Sequence, residues 1–154
     1  MKIKTLQLSG FIGVYANDVF LEKELPDDYE KYYYTRGESI GAIVTDHFAK
    51  IVKPFKVSLE DWRRGELVHY KDVFVQYYVS NKKITWEEAN ESHIKKLAGD
   101  MNVEEKLDGY SEYTITNNWV DMFIGGHNLR EELKRYEKQY VIIKINYKIN
   151  KETK

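Results

Sequence analysis

Two periods of hydrophobic and polar positions run along this chain, and the changes between them mark its elements. Residues 2–8 set Ile3 and Thr5 on one side and Leu6 and Leu8 on the other, the period-two alternation of a strand. Gly10 and Gly13 interrupt it. Residues 11–25 then carry strand-like alternation and helix-like polar spacing together, so the period leaves both readings open. Across residues 35–53 the spacing changes to three and four: Ile40, Ile43, Val44, His47, Phe48 and Ile51 form one apolar stripe and predict an amphipathic helix. Thr35 with Glu38, or Ser39 one turn later, suits its start, and Pro54 stops it. Ser58 and Gly65 bracket a further short helix. From Glu66 to Ser80 the β-branched and aromatic residues Val73, Val75, Tyr77 and Val79 alternate with Phe74, Gln76 and Tyr78, which predicts a long strand.

Thr85, Trp86, Glu87 and Glu88 spell a capping box, and Trp86, Ala89, His93, Ile94 and Leu97 supply a helical stripe that ends at Gly99. A helix is expected there, followed by a loop over residues 100–109. Residues 110–116 and 119–124 read as two short strands joined at Asn117 and Asn118, since Asn tolerates the positive φ of a tight hairpin turn. Asn128 with Glu131 makes a second capping box, and Leu129, Leu133, Tyr136 and Tyr140 give a stripe for a helix over 129–138. In the final run, Val141, Ile143, Ile145, Tyr147 and Ile149 share one face, and Lys144, Asn146 and Lys148 the other, wet one. These elements predict an α+β fold: a mostly antiparallel sheet with about three helices packed on one face and a C-terminal ββαβ unit.

At 154 residues the chain suits one domain, taken as residues 1–150 with a basic tail at 151–154. A chain of this size buries about 70% of the surface its unfolded form exposes. The absence of cysteine removes disulfides, thiolate zinc sites and cysteine nucleophiles. No secretory leader is recognisable in residues 1–9 and no stretch approaches a membrane span, so the expected location is the cytoplasm, with no membrane partner. A net charge of -1 gives no global cationic field, which makes nucleic acid an unexpected partner. The charge is nevertheless uneven. Residues 18–30 sum to -5 and the last 21 residues to +5, either as two solvated faces or as an acidic surface for a basic partner. The 19 lysines against 5 arginines, with abundant Ile, Asn and Tyr, resemble the coding bias of an AT-rich genome.

Tyrosine is the compositional oddity, at 13 residues. Tyr77 and Tyr78 lie on the long strand, and Tyr136, Tyr140 and Tyr147 fall where the period predicts core. Tyr29, Tyr32, Tyr33 and Tyr34, beside Asp27 and Asp28, are the residues left for a protein-binding patch; their alternative is packing on the sheet. Stacking single-stranded nucleic acid there would need basic side chains interleaved with exposed rings, and Lys31 and Arg36 supply little of that.

Catalytic chemistry has weaker candidates. His47 and His93 fall inside apolar stripes, which suits either a hydrogen-bonded core imidazole or, if they converge with carboxylates such as Asp46 or Glu91, an acid-base or metal site. His69 reads as a strand residue. His127 belongs to the turn Gly125, Gly126, His127 and Asn128 ahead of a capped helix, a candidate anion site lacking the spacing of a P-loop or dinucleotide fingerprint. No metal ligand set, catalytic group or cofactor motif is assigned. The expectation is a non-enzymatic protein-interaction or accessory protein, with a protein partner or self-association, carried by a phage or mobile element of an AT-rich bacterium. One alternative is a small enzyme or ligand-binding domain using His47, His93 or His127. The other is a weak nucleic-acid binder acting through the basic C-terminus.

Overall fold

A computed structural model describes residues 2–15, 17–25, 37–51, 66–110 and 115–149. Its described elements are, in chain order, β1 (Lys2–Tyr15), β2 (Asp18–Glu22), β3 (Glu38–Ser39), α1 (Ile40–Ala49), β4 (Glu66–Ser80), β5 (Lys95–Tyr110), β6 (Ile115–Ile124), β7 (His127–Asn128), α2 (Leu129–Lys134) and β8 (Tyr140–Ile149). The strands form one sheet in the order β3-β2-β1-β8-β4-β5-β6-β7, with every neighbouring pair antiparallel.

This corrects the expected α+β class with about three helices. Among the described residues the protein is a mostly antiparallel sheet of eight strands with two α-helices. The reason lies at residues 85–95. The capping box is present, with the Glu88 carboxylate accepting from the Thr85 amide at 3.1 Å and its hydroxyl at 3.0 Å. It caps a single 3-10 turn, because Ala89 returns to extended backbone at ψ 138. A second 3-10 turn over Glu91–His93 ends the same way, and β5 begins at Lys95, where a helix and then a loop were expected.

Two other expectations change. Asn117 and Asn118 do not turn the chain. They lie within β6, opposite Asp108 and Leu107, so the connection between β5 and β6 falls instead between Tyr110 and Ile115. Gly10 and Gly13 do not end the first strand either: β1 continues to Tyr15 and pairs with β2, so within 11–25 the residues 11–15 and 18–22 are strand. The short helix expected at 58–65 lies outside the described residues. The long strand over 66–80 is found. The stripe helix near residue 40 is α1, capped by Ser39, whose Oγ accepts from the Ala42 amide at 3.4 Å. The helix after Asn128 ends at Lys134, short of the expected 138.

Both helices join the same core. Val44 and Phe48 of α1 and Leu129 and Leu133 of α2 are fully buried with Ile12, Val75, Met101, Val103, Met122, Ile124, Ile143 and Ile145 from five strands. Side chains alternate faces along a strand, so these residues define one inner face, and α1 and α2 fill it. Both helices touch β2 and β6, which lie toward opposite ends of the sheet order, and β2 also touches β6. The sheet is therefore curled, with its two sides drawn together around the helices. A bulge in β4 contributes: the register with β5 shifts between Tyr70 and Val73, and Asp72 there has φ 58. Two glycines permit close approach. Gly41 sets α1 on β6, where a Cβ would meet Val120 Cγ1 at 2.3 Å, and Gly125 turns at φ +56 with its Cβ position 2.1 Å from the Ala98 carbonyl oxygen.

The outer face is uneven. Toward the start of β8, Tyr140 and Ile142 are buried, and Phe11 meets the Tyr140 ring edge-on at 5.1 Å. Toward its end the face is bare: Ile3, Thr5, Gln7, Phe74, Lys96, Ala98 and Lys148 are all exposed. No described helix is long and apolar enough to cross a membrane, and the chain contains no cysteine.

Candidate functional site

The histidines do not converge. His47, on α1, is half-buried and meets β8, where its Nε2 lies 2.7 Å from the Tyr147 hydroxyl. Its ring also meets Phe48 and Tyr147 edge-on, and Phe48 packs against Tyr70 and Tyr147 with centroids 4.9 Å apart in each case. Burial, with Lys50 and Lys4 nearby, pushes the His47 pKa below its ordinary value. This is an imidazole held in an aromatic cluster. His93 is exposed in a 3-10 turn, and His69 Nδ1 lies 2.6 Å from Asn102 Oδ1 on the sheet. His127 is exposed, with Nδ1 4.0 Å from Glu132 Oε1. Among the described residues no three His, Asp or Glu side chains are grouped to hold a metal.

The proposed anion turn is resolved in detail. Gly125 and Gly126 turn the chain, Gly125 N donating to the Asp100 carbonyl at 3.0 Å, and His127–Asn128 pair back onto β6 as β7. The Asn128 side chain accepts from the Arg130 amide at 3.2 Å. The amide that an anion would take is thus already capped, and the helix that follows has only six residues. Tyr29, Tyr32, Tyr33, Tyr34, Asp27 and Asp28 lie outside the described residues.

The most concentrated polar chemistry is a cluster that no sequence pattern announced. Arg130, in the first turn of α2, is buried, and its guanidinium donates from Nε to Asp121 Oδ1 at 2.6 Å, from Nη1 to the Asn17 carbonyl at 2.6 Å and from Nη2 to Glu131 Oε1 at 2.5 Å. Asn128 Nδ2 donates to the same Asp121 oxygen at 3.0 Å, Lys134 Nζ donates to Asn17 Oδ1 at 2.9 Å, and the Trp119 ring lies 5.5 Å below the Arg130 Cζ. Next to it, buried Asp18 accepts from the Val19 amide at 3.0 Å and the Val120 amide at 3.3 Å. Burial raises the Asp18 pKa, opposed by hydrogen bonds from Ser39, Val120 and Val19 and by the charge of Arg130. These bonds tie β2 and the β1–β2 turn to β6 and α2. The cluster is a clasp holding the curled sheet closed, since all three guanidinium nitrogens are already spent on protein acceptors.

Open polar chemistry lies instead on the bare part of the outer face. Backbone register sets three rows there. Lys96, Gln76, Lys144 and Gln7 make one, and Ala98, Phe74, Asn146 and Thr5 the next. Lys148 and Ile3 are paired in the third, on whose β5 side lies Asp100. Phe74 is 37% exposed and Ile3 66%. Thr5 donates to Asn146 Oδ1 at 2.6 Å, and Lys144 Nζ sits 4.5 Å from the centroid of the half-buried Trp86 ring. Alternation had already put Lys144, Asn146 and Lys148 on a wet face. Phe74 and Lys96 come from other strands, and only the register brings them beside those residues.

The chain matches no protein-family model, no curated protein and no solved structure in comparisons with known proteins. The functional reading therefore rests on geometry.

Proposed function

We propose that this is a non-enzymatic interaction or accessory protein that works in the cytoplasm by presenting the bare part of its sheet. The observation that carries the reading is the stretch of the outer face on which no described helix packs, where Phe74 and Ile3 stand exposed among amide and lysine side chains. Exposed rings with polar surroundings are the composition of a recognition surface, and a curled sheet clasped by Arg130 and packed by α1 and α2 gives that surface a fixed shape. Two ionisable groups support the same reading, since His47 is occupied by Tyr147, and Asp121 by Arg130 and Asn128. The coding bias supports a source in an AT-rich bacterium or in a phage or mobile element it carries.

Amine-reactive cross-linking in extract of the source cell, read by mass spectrometry, tests this. Cross-links from Lys96, Lys144 and Lys148 that disappear in an Ile3→Asp/Phe74→Asp variant are expected. Cross-links confined to Lys50, just past α1, and Lys134 on α2, or unchanged in the variant, would refute it.

A further inference from the structure

We infer that the bare sheet face binds single-stranded nucleic acid, with a base stacked on Phe74 and the flanking phosphates held by Lys96, Lys144 and Lys148. The inference rests on the surface reading above and names its partner. Its basis is register. Phe74 stands directly opposite Ala98 on β5 and Asn146 on β8, so Lys96 on β5 and Lys144 and Lys148 on β8 are its diagonal neighbours on the same face. Diagonal positions on an antiparallel sheet are about 7–8 Å apart, within the reach of a lysine side chain. An exposed ring is therefore flanked by three lysine positions, with the Lys144 ammonium resting over Trp86.

This is the interleaving of rings and cations that single-strand binding requires, and it is missing around Tyr29 to Tyr34 in the sequence. The fourth diagonal neighbour, Asp100, is acidic and keeps its charge while its Oδ1 accepts the Asp72 amide at 3.3 Å, so lysines outnumber it three to one at the positions diagonal to Phe74. Gln76 and Asn146, the direct neighbours of Phe74 along β4 and across to β8, carry amides that can hydrogen-bond base edges. The half-buried Trp86 ring at Lys144 extends the platform beyond a single base. The net charge of -1 does not oppose this, because the field that matters is local, and phosphates at this face meet three lysines. A duplex fits less well, since its bases are already stacked on one another and offer no free face to Phe74.

Fluorescence anisotropy of the full chain with labelled oligothymidylate and oligouridylate of about 12 nucleotides tests the inference, that length falling within the usual site size of a binding face. Three lysine contacts predict a slope of log K against log salt near -2, at about -0.7 per phosphate neutralised. A Lys96→Gln/Lys144→Gln/Lys148→Gln variant should lose most of that slope. Phe74→Ala should weaken binding by about tenfold or more while leaving the slope in place, because stacking carries no charge. Circular dichroism of both variants controls for folding. Absence of salt-dependent binding, equal affinity for a duplex, or binding that survives both variants overturns the inference. If oligonucleotides fail to bind while the Ile3→Asp/Phe74→Asp variant still loses protein cross-links, the nucleic-acid partner is wrong and the surface reading stands. If the cross-links lie on the helices, the surface reading has failed as well.

Discussion

Replacing Arg130 by Met removes the guanidinium that joins α2 to both sides of the curled sheet while keeping a long apolar side chain in its place. Three hydrogen bonds go, to Asp121, the Asn17 carbonyl and Glu131. The exposed Glu131 carboxylate regains water and contributes little. Asp121 decides the magnitude. Its side chain is 8% exposed, and after the substitution it keeps, among its described partners, Asn128 Nδ2 alone, so a nearly uncompensated carboxylate is left buried. Breaking a buried pair from one side costs about 3–5 kcal/mol, a large part of the roughly 5–15 kcal/mol that holds a domain folded. At about 2–4 °C per kcal/mol for a chain of this size, the melting temperature should fall by roughly 10 °C. Urea unfolding followed by far-UV circular dichroism measures the loss. The double variant Arg130→Met/Asp121→Leu removes both charges and should recover most of it, because an apolar pair fills the site without stranding a carboxylate. A single variant within about 1 kcal/mol of the wild type would refute the reasoning, since it would mean that water reaches Asp121 and the cluster is no clasp.

Other expectations follow from single contacts. Gly41→Val presses a side chain onto Val120, where even a Cβ comes within 2.3 Å of Cγ1, and overpacking of this kind costs about 1–3 kcal/mol; Gly41→Val/Val120→Ala should regain part of it in the same urea assay. Asp18 has a folded pKa raised by burial, so the folded state holds its proton more tightly than the unfolded chain and the group favours folding as pH falls. Asp18→Asn should therefore be at least as stable as the wild type at neutral pH, with its advantage shrinking as pH drops through the raised pKa; a loss of stability at neutral pH that disappears in acid would show the opposite sign. For His47 the folded pKa is lowered, so its contribution is intact above the ordinary imidazole value of 6.5 and declines as pH falls through the folded pKa. Its ring protons should titrate below 6.5 by NMR, and a midpoint above that value would contradict the half-buried placement against Tyr147.

The elements read correctly from the sequence are those whose period and ends agree. β4 and β8 alternate over many residues, and Ser39 and Asn128 do cap α1 and α2. The segment after Thr85 carried two signals. Its capping box and three-and-four spacing argued helix, while Leu97, Met101 and Val103 already sat at strand period and are the half-buried and buried positions of β5. The local signal won one turn and tertiary pairing with β4 and β6 won the rest. Asn117 and Asn118 illustrate the same limit, since a turn propensity cannot outweigh a register set by the long pairing of β6 with β5. Candidate chemistry was half legible. Alternation separated Lys144, Asn146 and Lys148 from the core, but their meeting with Phe74 and Lys96 depends on the register of three strands, and the partners of Arg130 lie on β6, at the β1–β2 turn and beside it on α2. Neither arrangement leaves a local spacing to read.

The most direct test of the account is a map of where a ligand lands. Amide cross-peaks of the isotopically labelled chain should shift on adding oligothymidylate, and the account predicts shifts at Thr5, Phe74, Gln76, Lys96, Lys144, Asn146 and Lys148, with those of α1 and α2 unmoved. Shifts concentrated on the helices, or none at ligand concentrations where anisotropy shows binding, would contradict it.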